Sequence, residues 1–81
     1  MMADAIATTG KVLDIGELGK MIRAKRKSKK LKQAECANLC GVGTRFLSEL
    51  ENGKSTIEIG KAMEVLHGLG LDITITERSW S

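Results

Sequence analysis

Aromatic side chains are almost missing from this chain of 81 residues, which has one Phe, Phe46, one Trp, Trp80, and no Tyr. A core must therefore be assembled from Leu, Ile, Val, Met and Ala. A chain this short has room for one domain with one modest core, which a compact all-helical arrangement can fill. Such a domain is marginally stable by itself. Histidine occurs once, at His67, and cysteine twice, at Cys36 and Cys40. The two cysteines fall four apart on a predicted helix, where Cβ atoms are about 5–6 Å apart, too far for an unstrained disulfide. Reduced thiols packed in the core are favoured over metal or redox chemistry. There is no motif-bearing carboxylate pair, and Gly41-Val42-Gly43 lacks the strand-turn-helix setting of a phosphate-cradling loop. Catalysis is accordingly the least favoured activity, and no cofactor is expected. Neither a signal-like segment nor an apolar run of about 18 residues occurs, which argues for the cytoplasm and against a membrane.

Acidic residues are missing from one stretch where basic ones crowd together. Lys20, Arg23, Lys25, Arg26, Lys27, Lys29, Lys30 and Lys32 hold eight of the thirteen basic residues, within a chain of net charge +3. One reading is a solvated helix end, where cations suit the negative pole of the helix dipole. The other is a grip on a phosphate backbone, and it gains from the pair of short helices predicted immediately downstream.

Residues 1–12 are small, polar and unpatterned, and are read as an N-terminal arm outside the fold. Asp14 can cap the amide of Glu17, Glu17 can reach back, and Leu13 can clamp Leu18. A first helix then runs to about Lys27 with Ile15, Leu18, Ile22 and Met21 on its inner stripe. Arg26 falls one turn further along that stripe, where a charge needs a partner. Leu31 anchors the loop into a second helix, Gln33 to Cys40, which Gly41 ends by supplying the positive φ of a tight turn. A third helix covers residues 44–52. Ala37 is small where the two helices cross, and Val42, Leu47 and Leu50 fill the space between them. Thr44, Arg45, Ser48, Glu49 and Asn52 are left outward, a hydrogen-bonding face that can read base edges. Ser55 to Glu58 offers a capping box for a fourth helix, with Ile59, Ala62, Met63, Val65, Leu66 and Leu69 as its stripe and Gly70 as its end.

Gln33-Ala34-Glu35, Ala37, Gly41-Val42, Ser48 and Glu51-Asn52-Gly53-Lys54 together resemble the Cro/repressor (XRE) helix-turn-helix family. The resemblance implies that Arg26 pairs with Glu51, tying the first helix to the third. Two positions depart from the family pattern. Lys32 stands where a Ser, Thr or Asn usually caps the second helix, an omission costing roughly 0.5–2 kcal/mol, although a lysine there could reach a phosphate. Gly43 replaces the usual Ser before the third helix, which leaves Thr44 as the candidate to take over that cap.

After Gly70 the period changes from helical to alternating, with Leu71, Ile73 and Ile75 against Asp72, Thr74 and Thr76. This is a strand by pattern. A lone strand leaves unpaired amides and carbonyls, which the same strand of a second copy satisfies across a two-fold axis; packing of the segment on its own helices is the alternative. A dimer would also set two third helices one turn apart on a palindromic duplex. Trp80 falls on what should be an exposed terminus, and Trp is a residue type enriched where few side chains dominate an interface; Trp80 folding back on its own dimer, or staying disordered, is the alternative. The four-helix body, the terminal strand and the tryptophan-bearing tail are similar to the HipB antitoxins. That similarity implies dimerisation through the strand, binding to palindromic operators in the protein's own promoter, and a HipA-like serine/threonine kinase toxin docked at Trp80.

The expected fold is thus mostly α, a repressor-like helix-turn-helix domain of four or five helices over residues 13–70. Beyond it lie a dimerisation strand at 71–77, carrying Leu71, Ile73 and Ile75, and a tail at 78–81. Thr44, Arg45, Ser48 and Glu49 are the expected base readers, and Gln33, Lys32, Lys30, Asn52 and Lys54 the expected phosphate contacts. The expected function is autoregulatory repression as an antitoxin. A free-standing repressor and an adaptor using the scaffold to bind protein are the alternatives.

Overall fold

In the computed structural model, which describes residues 12, 14–75 and 77, four helices follow one another: α1 (Ile15–Ser28), α2 (Gln33–Cys40), α3 (Thr44–Glu51) and α4 (Ile59–Gly68). No fifth helix and no β-strand occur among the described residues. α1 starts where Asp14 Oδ1 accepts the Glu17 amide at 2.9 Å, so one of the amides left without an intrahelical partner is satisfied. Leu13, the expected clamp on Leu18, lies outside the described residues, as do residues 1–11, Thr76 and residues 78–81.

All four helices stop the same way. The residue in the left-handed region is Lys30, Gly41, Gly53 or Gly70. The amide after it reaches back five residues: Leu31 N to Arg26 O, Val42 N to Ala37 O, Lys54 N to Glu49 O and Leu71 N to Leu66 O, at 2.8–3.2 Å. This is the Schellman geometry, which satisfies orphan carbonyls and turns the chain sharply. The residues after the turn at Leu31, Val42 and Leu71 are apolar and pack against the core.

The core is Leu18, Ile22, Cys36, Ala37, Cys40, Leu47, Leu50, Ala62, Val65, Leu66 and Leu69. Burial of these side chains holds α3 between α1 and α2, and α2 against α4. Two crossings are too close for a larger residue. A Cβ at Gly19 of α1 would collide with the Leu50 and Glu51 carbonyls of α3, and one at Gly68 of α4 would lie 3.2 Å from Cys40 Cα. Both thiols are buried, with Cys40 Sγ 3.7 Å from the Val65 carbonyl. Burial, together with the neighbouring Cys40, pushes the Cys36 thiol up to about 11.

Three local expectations are corrected. Thr44 does not take over the cap of α3: Gly43 is the N-cap and no side chain bonds the first amides. The capping box at Ser55 does not start α4, which begins four residues later with Glu58 as an extended N-cap. Ser55 and Thr56 are spent in a turn, and Ile57 packs on the core before the helix begins. Ile59 and Met63 belong to no buried stripe, being 60% and 40% exposed, because Ala62, Val65, Leu66 and Leu69 alone face inward. Past Gly70, Leu71 is half-buried whereas Ile73 and Ile75 are exposed.

Candidate nucleic-acid interface

Arg26, near the end of α1, is buried against Glu51 at the end of α3. Arg26 Nε and Nη2 donate to Glu51 Oε2 and Oε1 at 2.6 and 3.0 Å, and Nη1 donates to the Leu31 carbonyl at 2.8 Å. The fork-on-fork geometry suits two planar groups. Hydrogen bonding to the Glu51 carboxylate raises the Arg26 pKa above its ordinary value, against the opposing effect of burial. Glu51 Oε1 also accepts from Gln33 Nε2 at 3.1 Å. One carboxylate therefore joins α1, α2 and α3. Among the described residues no buried side-chain nitrogen or oxygen lacks a partner, which is the condition for a buried charge pair to be tolerated.

That clamp orients α3. With Leu47, Leu50 and Glu51 turned inward, the arc of Thr44, Arg45, Ser48, Glu49 and Asn52 faces away from the body, and Thr44, Arg45 and Asn52 are exposed while Ser48 and Glu49 are half-buried. The Arg45 side chain is 91% exposed; its Nε lies 3.4 Å from Glu49 Oε2, and Lys54 Nζ lies 3.3 Å from the same oxygen. Phe46 turns toward α4, with Lys61 Nζ 5.8 Å from its ring centre.

The basic stretch lies at the Glu51 end of α3, where Arg26 and Gln33, on either side of the α1–α2 turn, meet that carboxylate. Lys27, Lys29, Lys30 and Lys32 are exposed around the α1–α2 turn, and Lys30 is the one non-glycine residue with positive φ among the described residues, at 59°. The turn is held by Arg26, whose main chain accepts from Leu31 N and whose side chain donates to Leu31 O. Lys32 N donates to Glu35 Oε1 at 2.8 Å, so Glu35 supplies half of a capping box. The Lys32 ammonium has no lone pair and cannot supply the other half. The first amides of α2, at Gln33 and Ala34, have no intrahelical acceptor and follow directly on that lysine. Gln33 is half-buried with one Nε2 hydrogen committed to Glu51, which leaves the second for an outside acceptor.

The structure brings together Thr44, Arg45, Ser48, Glu49, Asn52 and Lys54 on one side of α3, and Lys30, Lys32 and Gln33 at the start of α2. Trp80 lies outside the described residues. Sequence reasoning missed the Gln33–Glu51 bond, the bond from Arg26 to Leu31, the Glu35 half-box and the two cations on Glu49. The last two had visible signals: Glu35 stands three after the N-cap, and Arg45 and Glu49 are an i,i+4 pair.

A family profile described as helix-turn-helix matches residues 22–75. An uncharacterized HTH-type transcriptional regulator, y4mF, of Sinorhizobium fredii is 46% identical over 59 residues, covering 73% of this chain and 78% of the relative. The ImmF control region 10 kDa protein of Bacillus phage phi105 is 46% identical over 43 residues, covering 53% of this chain and 48% of that protein. Among solved structures, HipB in a complex with an O4 20mer superposes with a TM-score of 0.79 at 20% identity, covering 88% of this chain and all of that one. HipB in a HipA–HipB–O2–O3 complex gives 0.78 at 20% identity over the same shares. The structural neighbours share the fold, and the matched profile spans both helices of the motif, α2 and α3, and most of the chain: the chain belongs to the XRE-type helix-turn-helix family of DNA-binding domains.

Proposed function

We propose that the protein is a homodimeric transcriptional repressor that reads a palindromic duplex and serves as the antitoxin of a HipA-like serine/threonine kinase, controlling its own operon in the cytoplasm. The observation that carries the DNA-binding part is the outward arc of α3 beside an exposed run of lysines. Arg45 is the principal base reader, since a bidentate arginine–guanine contact discriminates by about 1–3 kcal/mol. Thr44 and Ser48 contribute shorter contacts. Gln33, Lys30, Lys32, Asn52 and Lys54 hold phosphates, which fix register without reading sequence. The alternating segment Leu71, Ile73 and Ile75 pairs with its copy in the dimer, and Trp80 docks on the kinase. Likeness of fold to HipB, found in one structure with an O4 20mer and in another with HipA, supports the antitoxin part. A free-standing repressor is the second reading, favoured by the regulator name of the Sinorhizobium relative.

Selection of bound duplexes from a random-sequence pool tests the DNA-binding part, with Arg45→Ala relaxing the selected sequence. Lys54→Ala weakens all duplexes and lowers the salt slope by about one unit. Equal loss on every duplex for Arg45→Ala removes it as a reader, and failure to bind any duplex at low salt favours an adaptor. Recovery of a kinase from the native cell with the full chain, but not with a chain ending at Arg78, separates the antitoxin from the free-standing repressor.

A further inference from the structure

Glu49 is the one carboxylate on the outward arc of α3, since Glu51 is turned inward against Arg26. The Glu49 side chain is 31% exposed and that of Arg45 is 91% exposed, so the acid sits at the root of the face and the guanidinium at its tip. A single oxygen, Oε2, faces both Arg45 Nε and Lys54 Nζ, at 3.4 and 3.3 Å. Lys54 is fixed twice on the same residue, because its amide also donates to the Glu49 carbonyl at 3.1 Å.

We infer that Glu49 is a specificity-determining counter-ion for Arg45 and Lys54 rather than a reader of bases. The inference rests on α3 being the base-contacting helix. On a non-cognate duplex the available acceptors are phosphates. There the carboxylate repels the backbone and competes for both cations, so binding to every sequence is weakened. On the cognate duplex, guanine O6 and N7 offer Arg45 a bidentate partner that no phosphate geometry matches at that depth in the groove. Arg45 then leaves Glu49, while Lys54, whose ammonium has three donors, bridges the acid and its phosphate and so screens the carboxylate. Discrimination is a difference of affinities, and an element that penalises the wrong partner enlarges it. The carboxylate thus costs affinity everywhere and costs least on the right sequence.

The test compares wild type with Glu49→Gln on a labelled duplex recovered by selection and on a random-sequence pool of the same length, across a salt series. Glu49→Gln is expected to tighten binding to the random pool about two- to fivefold, the range of exposed ion pairs, and to steepen the salt slope by about one unit. Binding to the selected duplex changes less, so the ratio of the two affinities falls. In an Arg45→Ala background that fall in ratio disappears, because Glu49 acts on selectivity through the arginine. An unchanged urea midpoint shows that the fold is not the cause. The inference is overturned if Glu49→Gln weakens only the selected duplex, which would make Glu49 a reader, if it alters neither affinity, or if its effect on the ratio is the same in both backgrounds. Failure of wild type to bind any duplex at low salt overturns the base-contacting role of α3 instead, and is seen before any variant is made.

Discussion

Arg26 carries more of this fold than any surface cation. Its three donors meet Glu51 twice and Leu31 once, and truncation leaves the Glu51 carboxylate buried without its counter-charge. Arg26→Ala should therefore cost roughly 3–5 kcal/mol in urea denaturation, with DNA binding lost only in proportion to unfolding. Lys30 behaves in the opposite sense. A non-glycine residue at φ 59° pays about 1–2 kcal/mol for the left-handed region, whereas glycine adds about 0.4–1 kcal/mol of chain entropy to the unfolded state. Lys30→Gly should thus raise stability by about 0.5–1 kcal/mol. If Lys30 holds a phosphate, the same variant flattens the salt slope by about one unit, so stability and affinity move in opposite directions in one protein.

The helices were largely legible because each carries its own punctuation: Asp14 before α1, and Gly41, Gly53 and Gly70 after α2, α3 and α4. What escaped were features set by three-dimensional neighbours. Ser55 and Glu58 have capping-box spacing, yet α4 begins at Ile59 because Ile57 is drawn into the core first. Ile59 and Met63 have helical spacing but stand 60% and 40% exposed, since a pattern cannot say which side of a broad apolar arc meets α2. At the site, outward residues could be deduced from inward ones, whereas the bond of Gln33 to Glu51 depends on how α2 lies across α3. Gly19 marks such a crossing. An added Cβ there would come within 2.7 Å of the Glu51 carbonyl, and main chain cannot step aside as a side chain can. Gly19→Ala should lower the urea midpoint, at a cost of roughly 1–3 kcal/mol, despite the helix preference of alanine of about 1 kcal/mol.

At the scale of the whole molecule, Ile73 and Ile75 are 48% and 92% exposed, a placement that suits pairing with a second copy. Ile75→Asp should convert the proposed dimer in sedimentation velocity to a monomer of unchanged helicity, and should weaken binding to a palindrome by about a hundredfold or more while sparing a half-site. A dimer that survives the substitution would move the two-fold contact elsewhere, with the exposed Ile59 and Met63 as the next place to look. The Glu51 carboxylate has a consequence for kinetics as well. Because it holds the end of α1 and the start of α2 through Arg26 and Gln33, neither can detach while α3 stays in place. The amide protons of Leu31, Cys36 and Asn52, drawn from three different elements, should exchange with solvent at one common opening free energy, as a single foldon, and faster exchange at Leu31 alone would show that the turn opens separately.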